Sequence, residues 1–305
     1  MRVTVGGPPQ VVNQRARHVL FVEGGPEGLD VTVLRALTEL RVEGLGACNF
    51  VESVARAMRE FHPEYWFIRD RDDLDDDVVA ETWASFPDPA RDNLLVWRRK
   101  ELESYFLEPA WLAQSRYLRS AATIPAIERW IADEAGKSIW IEAAKSVFLW
   151  MRSQARAEAS ARWSPGDLGG LPRDQVARRL MTLPSIAALA GPRGCEIDEA
   201  TVQRRFDQTA DLLTGGQTPL AWGAGRWRDL VSAKALLNAT VHRWFTVPNV
   251  AAPGRHLQGR EATRLVALDL LSNHQEHMPA DFVELRATLQ RAISRSPAVH
   301  RATST

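Results

Sequence analysis

The chain has 305 residues, 45% of them hydrophobic, which is enough for one large domain or two ordinary ones with a real core. Lysine plus arginine equals aspartate plus glutamate at 38 each, which excludes a global positive field, so any polyanion has to be met locally. Two cysteines, Cys48 and Cys195, exclude a cysteine zinc cage and fit a reducing compartment; no apolar run is long enough to span a membrane and MRVTVGGPPQ lacks an apolar h-region, so no membrane contact and a cytoplasmic location are expected.

HVLFVEG at 18–24 is a branched, apolar run stopped by glycine and predicts a buried strand ending in a turn. LDVTVLRALTELRV follows with apolar residues at helical intervals, Val33, Leu34, Leu37 and Leu40 among them. A strand around 44–50 precedes FVESVARAMREF, whose Val51, Val54, Ala55 and Met58 form one helical stripe. EYWFIRD and NLLVWRR at 93–99 read as two more strands. Strands alternating with helices predict an α/β fold, a parallel sheet flanked by helices, over a domain 1–110. Beyond it, 111–305 reads as a mainly α-helical domain. PAIERWIADEAGKSIWIEAAKSVFLWMRSQARAEASARW, DEATVQRRFDQTADLL, WRDLVSAKALLNATVHRWF, GREATRLVALDLLSN and ADFVELRATLQRAI are amphipathic, with Asp198 and Ala280-Asp281 at expected N-cap positions. Trp130, Trp140 and Trp150 recur close to three helical turns apart, as core packing requires.

The chemistry is concentrated in WFIRDRDDLDDD, where six aspartates fall within eight residues. In open parallel sheets ligands sit at the carboxyl ends of strands, and two strands here end in acids: Glu23 on one, Asp70 with Asp72 on another. With extended backbone through residue 72, Asp70 and Asp72 project to one side and Arg71 to the other, so the two carboxylates can share a hard cation such as Mg²⁺. Asp73, Asp75, Asp76 and Asp77 read as a solvated loop, with Asp76 or Asp77 capping a short helix. Other chemistries use similar acids. A calcium hand with Asp70, Asp72 and Glu81 would need glycine at Asp75 and a helix before it; a haloacid-dehalogenase-like phosphatase would carry aspartate where Glu23 stands; a glycosyltransferase DxD gives Glu23 no role.

FVEGGPEGLDVTVLRAL followed by WFIRDRD resembles the TOPRIM fold. RRKELESYFLEPAWL and DLVSAKALLNATVHRWF are similar to later segments of TOPRIM nucleases of the OLD-like (overcoming lysogenization defect) group, which includes the small TOPRIM effector of the PARIS anti-phage system. The resemblance implies Glu23 as metal ligand or general base, Glu27 as a second acid, Asp70 and Asp72 as metal ligands, and Glu103, or else Glu101, as a further acid. It implies Lys234, contributed by the helical domain, as the charge that stabilises the phosphate in the transition state. Ser104 stands where the group has asparagine, and Ala233 where it has glycine.

The function expected on this basis is a metal-dependent endonuclease cleaving RNA, such as tRNA, or DNA, with two Mg²⁺ or Mn²⁺ ions. It would be a toxic effector of a defence system, forming a homodimer and controlled by a partner ABC-type ATPase, since the chain has no GxxxxGK[ST] loop. Arg98, Arg99, Lys100, Arg226 and Arg228, with Arg15 and Arg17, are candidate nucleic-acid contacts if placed around one cleft; taken singly, each reads as a solvated face or a salt-bridge partner. The Gly24-Gly25 turn reads equally as close approach to a phosphate or as turn chemistry. His274 and His277 beside Glu276 read as surface residues. The alternatives are a non-catalytic TOPRIM-like interaction module with a structural metal, or another DxD metal enzyme, a phosphatase or glycosyltransferase.

Overall fold

A computed structural model describes residues 18–295 apart from 39, 47, 73, 155–163 and 188–196. Arg15, Arg17, Asp73 and Cys195 lie outside the described residues. The protein is α/β, with a four-stranded, all-parallel sheet in the order β2-β1-β3-β4. The strands are β1 (Val19–Val22), β2 (Arg41–Gly44), β3 (Tyr65–Arg69) and β4 (Leu94–Val96). The helices accompanying them are α1 (Leu29–Leu37), α2 (Cys48–Met58) and α3 (Asp76–Ser85). After β4 come α4 (Pro109–Leu112), α5 (Ile124–Gly136), α6 (Ile139–Gln154), α7 (Arg173–Thr182), α8 (Pro184–Ala187), α9 (Glu199–Thr214), α10 (Trp227–Leu230), α11 (Lys234–Trp244), α12 (Gly259–Asn273) and α13 (Ala280–Arg295). None of the described helices is long and apolar enough to cross a membrane.

Two compact units make up the chain. The first takes the described residues among Met1–Arg69, Thr82–Leu95 and Glu284–Thr305; the second takes those among Asp70–Glu81 and Val96–Val283. The division therefore differs from a break at residue 110: the acid-rich segment after β3 belongs with the helices, because its backbone is hydrogen-bonded to the chain beyond β4, Arg71 N–H to Lys100 O at 2.9 Å.

In the first unit β1 is the middle of three parallel strands, with Leu20 opposite Val42 on one side and Trp66 on the other. Such a strand is covered on both faces and has to be apolar throughout, as VLFV is. Val51, Ala55 and Phe67 form a buried cluster, with Phe21 stacked on Phe67 at 5.2 Å between ring centres. The helix expected over 29–42 stops at Leu37, where the Thr38 hydroxyl bonds Leu34 O at 2.7 Å and its backbone turns extended; β2 follows at 41–44, earlier than the strand expected around 44–50. The Gly24-Gly25 turn is turn chemistry. Gly24 has φ +88 and exchanges two backbone hydrogen bonds with Gly46, so its N–H is already used. A Cβ on Gly44 would meet Gly24 O at 2.5 Å, which is why β2 closes on glycine.

In the second unit the 3₁₀ turn Leu102–Leu107 is buried along its whole length. Its Tyr105 and Phe106 pack with Trp97, Trp111 and Phe282, the centre of an aromatic core. The long helix expected after residue 124 is two helices, parted at Lys137 and Ser138, and α6 packs on α7 and α9 while α11 packs on α5 and α12. Asp198 caps α9 as its position predicts, accepting from Thr201 N–H at 2.6 Å. Asp281 does not cap α13; it lies inside the first turn and accepts from Tyr105 Oη and Arg98 Nη1, both at 2.6 Å. Trp130, Trp140 and Trp150 are half-buried, and Arg173 and Arg205 lie over the rings of Trp140 and Trp150.

Candidate acid and lysine site

Three chain segments of the second unit meet through backbone bonds. Lys100 O accepts from Arg71 N–H at 2.9 Å and Asp72 N–H at 3.4 Å, and Lys100 N–H donates to Asp229 O at 2.6 Å. The side chains carried by these segments gather around Lys234, the first residue of α11. Its Nζ stands 3.1 Å from Asp70 Oδ2 and 3.4 Å from Glu101 Oε2. Glu101 precedes the buried 3₁₀ turn and Glu103 lies in its first turn, so the hydrophobic residues beside them force both carboxylates out of bulk water.

Burial sets the electrostatics. It pushes the Asp70 carboxyl up to about 6; the Lys234 charge and hydrogen bond oppose this, and the negative charges of Glu101 and Asp72 add to it. Burial likewise pushes Glu103 up to about 7, against Lys234 and with Glu101 and Asp70. For Lys234, burial alone would favour the neutral amine. The charges of Asp70, Glu103 and Glu101 outweigh it and raise the ammonium well above its ordinary range. One ammonium therefore serves three carboxylates, and Glu103 Oε2 is buried with no hydrogen-bond partner among the described residues.

Asp72 differs from the expectation of a second strand-end carboxylate beside Asp70. β3 ends at Arg69, and Asp72 is exposed with φ +51, in the left-handed region that aspartate tolerates better than most residues. Arg71 is buried, its guanidinium donating to Leu74 O, Arg98 O and, at 2.6 Å, Asp76. Asp76 is correspondingly more than a solvated loop residue: it also accepts from Arg226, and those guanidinium bonds hold its carboxyl down at about 2. A strand in front of Asp70 also rules out a helix–loop–helix calcium hand there.

Glu23 and Glu27 belong to the first unit. Glu23 directly follows β1 and is half-buried; Glu27 is exposed in the turn before α1. The five basic candidates all lie in the second unit, and each is ion-paired. Arg98 pairs with Asp281 at 2.6 Å, Arg99 with Glu108 at 2.5 Å, Lys100 with Glu142 at 3.4 Å, Arg226 with Asp76, and Arg228 with Glu108. A cavity of about 670 Å³ is lined by Arg98, Arg99 and Arg226 together with Asp76, Glu108 and Asp281; a smaller one of about 280 Å³ reaches Asp72, Lys100 and Glu142. His274 and His277 lie 3.9 and 3.8 Å from Glu276.

Sequence reasoning missed Glu142, a buried carboxylate in the first turn of α6 that accepts from Lys100, Lys145 and Ser232 N–H. Its signal was a lone acid in a largely apolar stretch, IWIEAAKSVFLW. It also ranked Glu101 behind Glu103, although Glu101 makes the denser contacts.

The donor set has the chemistry of a hard-cation site: carboxylate oxygens, buried, with more negative charge than one ammonium balances. It is not a preformed cage, because among the described residues no group of three or more histidine, cysteine, aspartate or glutamate side chains is disposed to hold a metal ion. Comparisons with protein-family models, curated proteins and solved structures find no match to this chain.

Proposed function

We propose that the protein is a divalent-metal-dependent phosphodiester hydrolase acting on nucleic acid. The observation that carries the reading is the meeting of Lys234 with Asp70, Glu101 and Glu103, residues brought together from three distant segments. A cluster of this composition repels a phosphate backbone until a cation reverses its sign. Asp70 and Glu103 are the residues in the second unit that would hold the ion, and the TOPRIM resemblance adds Asp72 of the same unit; for the first unit the resemblance by itself implies Glu23 and Glu27 as metal ligands. When bound, Mg²⁺ or Mn²⁺ supplies Lewis acidity at the phosphate and lowers the pKa of water.

The chain's own groups have separate tasks. Lys234, permanently protonated and half-exposed, presents a positive charge to the non-bridging oxygens, where negative charge grows in the transition state. Burial of Asp70 and Glu103 strengthens every charge interaction around them. Arg98, Arg99, Arg226 and Arg228 can meet flanking phosphates only by exchanging carboxylate partners, so binding should fall steeply with salt. The same resemblance supports a defence effector, dimeric and released by a partner ATPase.

A structural knot of ion pairs is the second reading, favoured by the absence of a preformed metal cage among the described residues. Calorimetric titration with Mn²⁺ and incubation with supercoiled plasmid and total RNA, in Mg²⁺, Mn²⁺ or EDTA, separate the two. Metal-dependent cleavage lost in Asp70→Asn, Glu103→Gln and Glu23→Ala is the expected result. A protein that neither binds Mn²⁺ nor cleaves, with its partner ATPase present or absent, is a structural module.

A further inference from the structure

A helix start leaves its first amide groups without partners inside the helix. At α11 no capping side chain comes from the N-cap residue, Ala233. The Lys234 amide and the two before it are taken instead by two buried carboxylates from far along the chain. Ser232 N–H donates to Glu142 Oε2 at 3.4 Å; Ala233 N–H and, at 2.7 Å, Lys234 N–H donate to Glu101 Oε1, which also accepts the Ser232 hydroxyl at 3.1 Å. The other oxygen of Glu101 faces Lys234 Nζ at 3.4 Å. One carboxylate thus grips the same residue twice, by its main-chain nitrogen and by its ammonium.

We propose that Glu101 is a positioning residue for Lys234: it clamps the start of α11 so that the ammonium is aimed at Asp70, and it is not itself a ligand for the cation. Three donors converge on Oε1, which fills the lone pairs a cation would need. Glu103, two residues on, keeps a buried oxygen without a hydrogen-bond partner among the described residues. The division of labour follows: Glu101 orients the lysine and Glu103 is left for the ion. Placing a charge to within a fraction of an ångström is what preorganised catalysis requires. The inference deepens the phosphodiesterase reading and rests on it only where turnover or metal is measured; the clamp itself stands independently.

Amide hydrogen exchange on the full chain tests the clamp without any activity. In Glu101→Ala the amides of Ala233 and Lys234 should exchange about tenfold faster, as for a lost helix cap, while Thr240 and Val241 inside α11 stay protected. Glu101→Gln keeps an accepting oxygen and should exchange like the wild type, but it loses the charge facing Nζ. Its Lys234 amine should therefore acetylate several-fold faster relative to Lys100, Lys137 and Lys145, a readout that decides the matter if the alanine variant does not fold. Mn²⁺ affinity in Glu101→Gln should stay within about tenfold of wild type, where loss of a direct ligand would exceed about a hundredfold. Unchanged exchange at 233 and 234 in the alanine variant, unchanged Lys234 reactivity in the glutamine variant, or collapse of Mn²⁺ binding in the latter overturns the proposal. Failure of the wild type to bind Mn²⁺ at all, with the exchange result as expected, removes the hydrolase reading and leaves the clamp.

Discussion

Replacing Glu103 by glutamine should stabilise the metal-free protein at pH 8, an unusual direction for a substitution inside a buried turn. The Glu103 carboxyl ordinarily titrates near 4.5 and here near 7, chiefly because burial disfavours its charge. Between those values the folded chain keeps a proton that the unfolded chain has lost. Stability from this group is therefore complete below about 4.5 and is lost as pH rises through 7. At about 1.4 kcal/mol for each tenfold change in protonation, holding the carboxylate ionised at pH 8 costs about 3 kcal/mol at most, part of it shared with Asp70 through their mutual repulsion. Glutamine has the same shape and no charge, so the variant should recover about 1–3 kcal/mol at pH 8 and nothing at pH 4. Urea unfolding followed by tryptophan fluorescence, in EDTA at pH 4, 5, 6, 7 and 8, measures the difference directly. In the wild type Asp70, raised to about 6, adds a fall of the same sign. Added Mn²⁺ should stabilise the wild type at pH 8 and narrow the gap. Equal stabilities of the two proteins at pH 8, or a gap that does not change with pH, would refute the buried-charge argument.

Lys234→Met removes the one ammonium facing three carboxylates, and should cost about 2 kcal/mol of stability, discounted for a half-exposed lysine, and about 10²–10³ in cleavage rate under the proposed chemistry. Urea melts and plasmid nicking read the two losses separately; an active, fully stable variant contradicts both. Asp76→Asn leaves the buried Arg71 guanidinium short of its anion. The expected loss is about 1 kcal/mol after screening of the largely exposed Asp76, constant from pH 5 to 8 and vanishing in acid as the wild-type carboxyl protonates near 2. Phe282→Ala empties a fully buried site whose ring lies 5.0–6.2 Å from those of Tyr105, Trp97, Phe106 and Trp111, and should cost about 3–5 kcal/mol by calorimetry.

The sheet was legible because parallel strands advertise themselves: VLFV, YWFIR and LLV are covered on both faces and cannot tolerate alternation. β2 was misplaced because RVEG buries little besides Val42, and its position follows from the Thr38 stop to α1, which a helical stripe running on to Leu40 conceals. Asp70 and Lys234 could be named from spacing and resemblance. The conformation of Asp72 could not, since the turn that rotates it outward depends on the Lys100 carbonyl, supplied from 28 residues away. That the basic residues form salt bridges could be read singly from the sequence, but their partners could not be named, because Asp281, for example, is separated from Arg98 by 183 residues. Glu142 carries no motif, and Glu101 sits in one only as an alternative acid; the bonds both make to residues 232–234 exist only once α11 begins where it does.

The bond between Lys234 and Asp70 joins residues 164 positions apart. During synthesis the acids leave the ribosome long before the lysine that balances them, and loop closure over such a span is among the slower steps of folding. A nascent or prematurely terminated chain therefore carries the carboxylates without their counter-charge. The acid and lysine cluster therefore closes only once residue 234 has been made, which ties the balance of charge around Asp70 to the order of synthesis.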